Sequence, residues 1–598
     1  MDDGAGAHER REGVVALGIA ALALLPFVVA IVTFAGNDYV PVGDIALTDL
    51  RVRDVFGSDI PLVGAYSRFG WNHPGPLPFW LLAPISAVFG AEGWATVVAN
   101  AVVQAGAVGA IAWGAWRAGR LPVLLAALAF TALAYGAIGS GIVIEAWNPN
   151  LAYPFFILFV LLAWTVARTD RIMLAPLAVA GGIVVQAHVG YLPLVGVVAV
   201  AALAMGLRAD RDNLAAWRRP ALVALVVGAV LWIPPVVHEF VHPSNIRPLT
   251  ESLLTPDEST LGPGTAARIL AEEFRVPPPW FGGDHDLDPF ASLVTGASSW
   301  WLVLPAGLLG AGWFATTRRR VDGSRELLVL ASALLATGLV AISRVLGEAE
   351  EYVFYWRVPV ALLVVFASGW SVWVALRLDA SKLARGVAFA GLAAIVGWAS
   401  IATSIRIGQA DDVNTGQALS IEALQSVGEP EDAVLVRAAG IAFLGLHRAV
   451  VNELDRDGAD VRVDKALDYQ FGSSRGATPA EVDEIWYVAE AGQFLSLLTA
   501  APGARELWVS TPLTDAEEEE LRAGQRELWA AVDAAGRADL LTNLASPLVA
   551  FALADIPGAD PATVARVAEL NQGAEQGGPC RCGIVAFAAD EVPTNLPF

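Results

Sequence analysis

Charge is scarce in this chain. Asp, Glu, Lys and Arg make up 16% of its 598 residues, where a soluble domain carries about 25%. The apolar residues do not form amphipathic stripes but come in blocks of about 20, so a soluble globular fold and a disordered chain are both excluded. Lysine is nearly missing: Lys382 and Lys465 are the only two among 38 cationic residues. The net charge of −22 excludes a nucleic-acid partner. Cysteine is limited to Cys580 and Cys582, which rules out a disulfide-built scaffold. What is present is a 55% apolar chain of mean hydropathy +0.54. It reads as a mainly α, polytopic membrane protein with room for a further soluble part.

Apolar stretches long enough to cross a bilayer begin at 14–35, 94–116, 121–139, 151–167, 220–237, 298–316, 326–343, 357–376 and 386–405. The stretch 172–207 is broken by Gln186, His188, Gly190 and Pro193 and reads as two short helices around a tight turn. Together these give about 11 spans. The segment 77–90, LPFWLLAPISAVFG, has 14 residues and contains Pro84. It falls short of the roughly 17-residue minimum for a span. If it rests at the interface, 17 cations from Arg10 to Arg385 collect on one side, while loops 140–150, 188–190 and 347–356 hold none. If it crosses, that bias inverts. The positive-inside rule selects the interfacial reading. The expected topology has the N-terminus cytoplasmic and outer loops at 36–93 and 238–297. The expected domains are a transmembrane part, 1–405, and an extracytoplasmic α/β part, 406–598. The first span reads as an uncleaved signal anchor.

The tail after residue 405 holds 31 acids against 13 bases. AVLVRAA (433–439), EIWYVA (484–489), ELWVS (506–510) and GIVAFAA (583–589) read as buried strands. Helical patterns at 441–450, 492–500, 515–535 and 561–571 lie between them, which implies a small α/β domain. It shows no G-x-G-x-x-G, no P-loop and no Ser/His/Asp pattern, and reads as a lid or acceptor-docking part. Cys580 and Cys582 flank one arginine; in an oxidising exterior they could pair, though a bridge across that spacing would be strained, and inert thiols are the alternative.

Polar residues gather on the expected outer face. Asn100 and Gln104 are the clear amides at depth, which argues against a transport path through the span centres. The first outer loop, GDIALTDLRVRDV followed by YSRFGWNHPGPLPFW, has Asp44 just past the first span. Asp44 can cap a surface helix in which Asp49 and Arg53 stand at i,i+4. His73 sits in a Pro/Gly-rich turn before the 77–90 segment. Further candidates are Arg68, Glu145 and Asn148 in EAWNPN, His188 in the hairpin turn, His238 and Glu239, Arg344, and Tyr352 and Arg357 in EYVFYWRVP. H-E-F-V-H (238–242) matches the zinc-protease pattern literally. Pro234, Pro235 and Pro243 leave that helix only one or two turns. Asp284, Asp286 and Asp288 lack the terminal Glu of a calcium loop and read as part of a mobile lid.

This layout resembles the GT-C superfamily of polyprenyl-phosphate-sugar-dependent membrane glycosyltransferases. The resemblance rests on Asp44 in GDIALTDLRVRDV, on His73-Pro74 in NHPGPLPFWLLAP and on Phe89-Gly90, and spans roughly the first 400 residues, in architecture more than in letters. It implies two surface helices in the first outer loop and a catalytic base near its start, hence Asp44. Many relatives carry paired acids there; here Ile45 follows Asp44, which leaves Asp49 as a rival base. The implied activity is inverting sugar transfer on the outer face of the plasma membrane. The donor would be a sugar on a polyprenyl phosphate, and the acceptor a glycan, lipid or protein of the cell envelope. Arg357, Arg344, Arg68 and His73 would face the donor phosphate. A divalent cation, Mg or Mn, is a candidate cofactor. The alternatives are a lipid-linked polysaccharide polymerase or ligase, a non-enzymatic transporter and a zinc peptidase.

Overall fold

A computed structural model describes residues 3–254, 258–281, 297–319, 323–410, 415–440, 445–576 and 581–597. Asp284, Asp286 and Asp288, read above as part of a lid, and Cys580 lie outside the described residues. The chain forms two compact units. One comprises Met1–Asn37, Pro61–Ala91 and Ala95–Asp411; the other comprises Asp38–Ile60, Glu92–Trp94 and Asp412–Phe598.

The first unit is helical, as an apolar chain in lipid must be when every backbone group has to be satisfied within its own segment. Each stretch expected to span coincides with an apolar helix. By length and composition, seven described helices can cross a membrane alone, and an eighth forms if Arg10–Ala23 and Leu25–Phe34, bent by 43°, act as one. The count falls below 11 for two reasons. Gly93–Ile138 runs through two expected spans and breaks at Gly119 and Arg120, where Arg120 takes φ 57° and ψ −149°. Pro122 then restarts the helix, a position where its missing N–H costs nothing. Leu174–Ala187 and Val303–Arg318 have 14 and 16 residues and fall below the length threshold on their own.

Leu77–Val88 is a 12-residue helix, about 18 Å long, against a hydrocarbon thickness of about 30 Å. It is too short to cross. The turn before it is pinned by a bridge between Tyr66 and Asn72 and by the Trp80 indole donating to the Pro61 carbonyl at 3.1 Å.

The second unit contains a six-stranded sheet. Its strands are β1 (Val434–Ala439), β2 (Val461–Asp464), β3 (Gly476–Ala477), β4 (Glu484–Ala489), β5 (Arg505–Ser510) and β6 (Cys582–Ala588), in the order β3-β2-β1-β4-β6-β5. β1 to β4 run parallel, and β6 is antiparallel to both β4 and β5. The sheet is mainly parallel with helices in the connections, as alternating strands and helices require. Asp515–Ala534 opens with the Thr514–Glu517 capping box. Leu521, Leu528, Trp529 and Val532 on that helix reach a core shared with Leu495, Leu498, Val567 and Phe587. Cys582, first residue of β6, is buried. The helix Gly43–Asp54, within the 36–93 connection, belongs to this unit and not to the helical one.

Candidate functional site

The amides Asn100 and Gln104 explain how the first unit builds its polar end. Asn100 donates to the carbonyls of Val143 and Glu145 at 2.8 and 3.1 Å. Gln104 donates to the Ile142 carbonyl at 2.7 Å and accepts from the Tyr135 hydroxyl at 2.8 Å. These bonds satisfy the exposed backbone of the one-turn helix Gly141–Ile144, which has no neighbouring turns to do so. They hold Glu145 at its end. Burial pushes the Glu145 carboxyl up to about 7, opposed by the Asn150 amide.

The next residues begin the helix Asn148–Ala167. Asn148 donates to the Ala187 carbonyl at 2.9 Å, tying this helix to the break before the next one. That break carries His188. Its Nδ1 accepts the Gly190 N–H at 3.2 Å, while the His73 Nδ1 accepts the Val189 N–H at 3.2 Å. The two imidazoles face each other with ring centroids 4.8 Å apart. With Nδ1 an acceptor in each, the neutral rings carry their proton on Nε2. Burial and the neighbouring His188 keep His73 well below the usual imidazole range, and burial alone brings His188 to about 4. Both rings are therefore neutral donors at physiological pH. The Trp147 and Tyr352 rings are 4.7 Å apart, and Tyr352 is 6.4 Å from His188. Thus His73, His188, Asn148, Trp147 and Tyr352 come together from four separate stretches of sequence.

Arg68 pairs with Glu350 at 2.8 Å and donates to the Glu348 carbonyl, joining the first-loop turn to the loop that carries Tyr352. Arg344 ends the helix Ser324–Ser343, is exposed, and has no side-chain partner among the described residues. Arg357 departs from expectation. It neither snorkels nor stands open to a phosphate: its residue is 5% exposed, and its guanidinium is held by Glu273 at 2.5 Å and by Glu351. Nη1 of Arg357 and Oε2 of Glu273 remain buried without a hydrogen-bond partner. Burial pushes the Glu273 carboxyl up, with the Arg357 guanidinium acting against it. The sequence reading missed Glu273 and Glu351. The signal for them was the counter-charge that a buried arginine demands.

Glu239 is spent on structure. It accepts from the Ser244 hydroxyl at 2.6 Å and from the Asn245 and Ile246 N–H groups at 2.9 and 3.0 Å. Asn245 in turn exchanges two hydrogen bonds with the backbone of Asn72, beside His73. The His238 ring stacks on His242 at 5.0 Å. A zinc-protease reading would need Glu239 free as general base, and it is not. Among the described residues, no group of three or more His, Cys, Asp or Glu is placed to hold a metal ion.

Asp44 and Asp49 lie in the second unit, on Gly43–Asp54. Asp44 is not the cap of that helix: Val42 occupies the cap position and makes no side-chain cap bond. The Asp44 carboxylate instead pairs with Arg448 at 2.5 Å, and its side chain keeps 21% exposure. Asp49 is fully buried, with Arg53 at 2.5 Å, as the i,i+4 spacing predicted, and with Arg456. Arg448 and Arg456 carried no signal in the sequence, because they lie about 400 positions downstream.

No family model matches the sequence, and no curated protein matches it. Solved structures do. A crystal structure of ArnT from Cupriavidus metallidurans bound to undecaprenyl phosphate matches with a TM-score of 0.51 at 16% identity, over 83% of this chain and 96% of that one. The apo state of the same protein gives a TM-score of 0.49 at 15% identity, over 84% and 96%. The fold of this polytopic membrane protein is similar to that of ArnT.

Proposed function

We propose that the protein is an inverting glycosyltransferase that moves a sugar from a polyprenyl phosphate to a cell-envelope acceptor. The reaction would take place on the outer face of the plasma membrane, with the N-terminus cytoplasmic and the C-terminal domain extracytoplasmic. The observation that carries this reading is the cluster of His73, His188, Trp147 and Tyr352 in a chain with the ArnT fold. Two neutral imidazole N–H donors beside two aromatic faces suit a sugar, which offers hydroxyl acceptors and apolar C–H faces. ArnT was crystallised with undecaprenyl phosphate, which supports a lipid phosphate as the carrier here. A cavity of roughly 110 Å³ among Phe130, Phe156, Leu334 and Phe366 is apolar and suits a prenyl chain.

In the proposed step Asp44 takes the proton of the acceptor hydroxyl. The oxygen forms a bond to the anomeric carbon as the bond from that carbon to the phosphate oxygen breaks, and polyprenyl phosphate leaves. Asp44 is preferred to Asp49, which is fully buried between two arginines. Arg344, exposed at a helix end, is the better cation for the leaving phosphate, because Arg357 is already neutralised by two carboxylates. Glu145, Asn148 and Tyr352 line the sugar side.

The test is transfer in lipid nanodiscs with synthetic polyprenyl-phosphate sugars and envelope extracts, with and without EDTA. A lipid-diphosphate sugar runs in parallel. A covalent product from the monophosphate donor, lost in Asp44→Asn with an unchanged melting temperature, is the expected result. Full transfer by Asp44→Asn removes the base assignment, and product from the diphosphate donor alone replaces transferase with polymerase or ligase.

A further inference from the structure

In a doubly wound sheet, ligands bind outside the carboxyl ends of the strands, where neighbouring connections diverge. In this sheet that place lies between β1 and β4, and it is filled from within the chain. Glu490, which follows β4, accepts the N–H groups of Gly445 and His447 at 3.2 and 3.0 Å. Its carboxylate thus takes the helix N-terminus where an anionic ligand would sit. Against the same turn rests the start of Gly43–Asp54. The Gly43 N–H meets the Gly445 carbonyl at 3.4 Å, and a Cβ on Gly445 would lie 2.2 Å from the Gly43 Cα.

The rest of that helix is clamped by charge. Asp54 takes two 2.9 Å hydrogen bonds from Arg475, and Arg53 reaches Asp455 at 2.9 Å and the Asn452 carbonyl at 3.0 Å. Asp49 is held by Arg456. These contacts already fix the helix. Arg448 adds something else: it stands on the first turn of Leu446–Asp457, with Nη1 on Asp44 and Nη2 on Gln470 at 3.3 Å. A bidentate-capable fork, itself oriented by a neighbouring amide, fixes the direction of a carboxylate as well as its place.

We propose that Arg448 is a positioning residue for Asp44, so that the C-terminal α/β domain supplies a working part of the reaction centre and not merely a cover. This rests on Asp44 as the base. The experiment compares Arg448→Ala, Arg448→Lys, Arg437→Ala and Asp44→Asn in the full-length protein, reading kcat, donor KM and melting temperature. Arg437 pairs with Asp464 inside the sheet and serves as the control for loss of one arginine from this domain. The expected result for Arg448→Ala is a fall in kcat of about tenfold or more, with donor KM within about twofold and melting temperature unchanged. Arg448→Lys recovers part of it, and Arg437→Ala keeps normal activity. A kcat for Arg448→Ala equal to the parent, or a loss that tracks melting temperature and that Lys does not restore, overturns the proposal. An inactive Asp44→Asn beside a fully active Arg448→Ala overturns the positioning role alone. A fully active Asp44→Asn overturns the base assignment beneath it.

Discussion

His73 and His188 face each other 4.8 Å apart, each with Nδ1 already accepting a backbone N–H. A charge on either ring would be costly, since both are buried and each lies within reach of the other. This gives stability a direction with pH. Above about 6.5 both folded and unfolded histidines are neutral and the full stability is present. As pH falls, the unfolded chain takes up protons first, while folded His188 waits until about 4. Stability should therefore drop across pH 6.5 to 4, by about 3 kcal/mol from His188. Melting temperatures in detergent should fall less steeply for His188→Gln over that window. Equal slopes in the two proteins would count against the paired neutral rings.

Glu145 works in the opposite sense. Its folded carboxyl titrates at about 7, so its contribution to stability is present below about 4.5 and is lost as pH rises through 7. Glu145→Gln should be more stable than the parent at pH 8 and close to it at pH 4. If Glu145 touches substrate, the parent rate profile should also bend near pH 7, and the bend should vanish in the variant. A profile unchanged by the substitution would leave Glu145 outside the sugar pocket.

Arg357 carries a stability prediction ahead of a donor-binding one. Removing it with Arg357→Met strands Glu273 and Glu351 as buried carboxylates, at a cost of about 3–5 kcal/mol. Glu351→Gln should cost less, because it takes the group from two acids per arginine to one. Thermal unfolding of the two variants ranks them directly, and the reverse order would refute the brace.

Gly445 has φ 68° and touches Gly43 backbone to backbone. Gly445→Ala should strain the turn by about 1–3 kcal/mol and push the first-loop helix away. Hydrogen exchange of residues 43–54 should quicken in this variant while the strands stay protected. Protection equal to the parent would show that the charge clamps alone hold the helix.

The membrane helices were legible because lipid imposes one rule on every span, and composition alone reports it. β1, β4 and β6 were legible as runs of buried apolar residues; β5 was legible as a strand, but at the sheet edge only its Trp508 is buried. β2, with only Val461 and Val463 facing inward, was too short to stand out, as was the two-residue β3. Of the helix predicted at 441–450, residues 441–444 lie outside the described residues, and the rest falls in Leu446–Asp457, whose cap residue Gly445 takes the left-handed region. At the candidate site, local spacing disclosed Asp49–Arg53, and the hairpin break disclosed His188. It could not disclose that Arg357 would be met by Glu273, 84 positions away, or that Asp44 would meet Arg448. Such pairs follow from tertiary folding, for which no periodicity exists.

The grip on Gly43–Asp54 has a consequence for biosynthesis. Its arginine and aspartate partners, Arg448 to Arg475, emerge from the ribosome some 400 residues later. At about 5–20 residues per second this is a wait of roughly 20–80 s. Throughout that interval the polar segment has only its local pairs, such as Asp49–Arg53, and none of its downstream partners, while helix after helix is inserted behind it. The clamp on Gly43–Asp54 thus closes only after the membrane body has been made, and a ribosome that stops before β1 leaves that body with Asp44 unanchored.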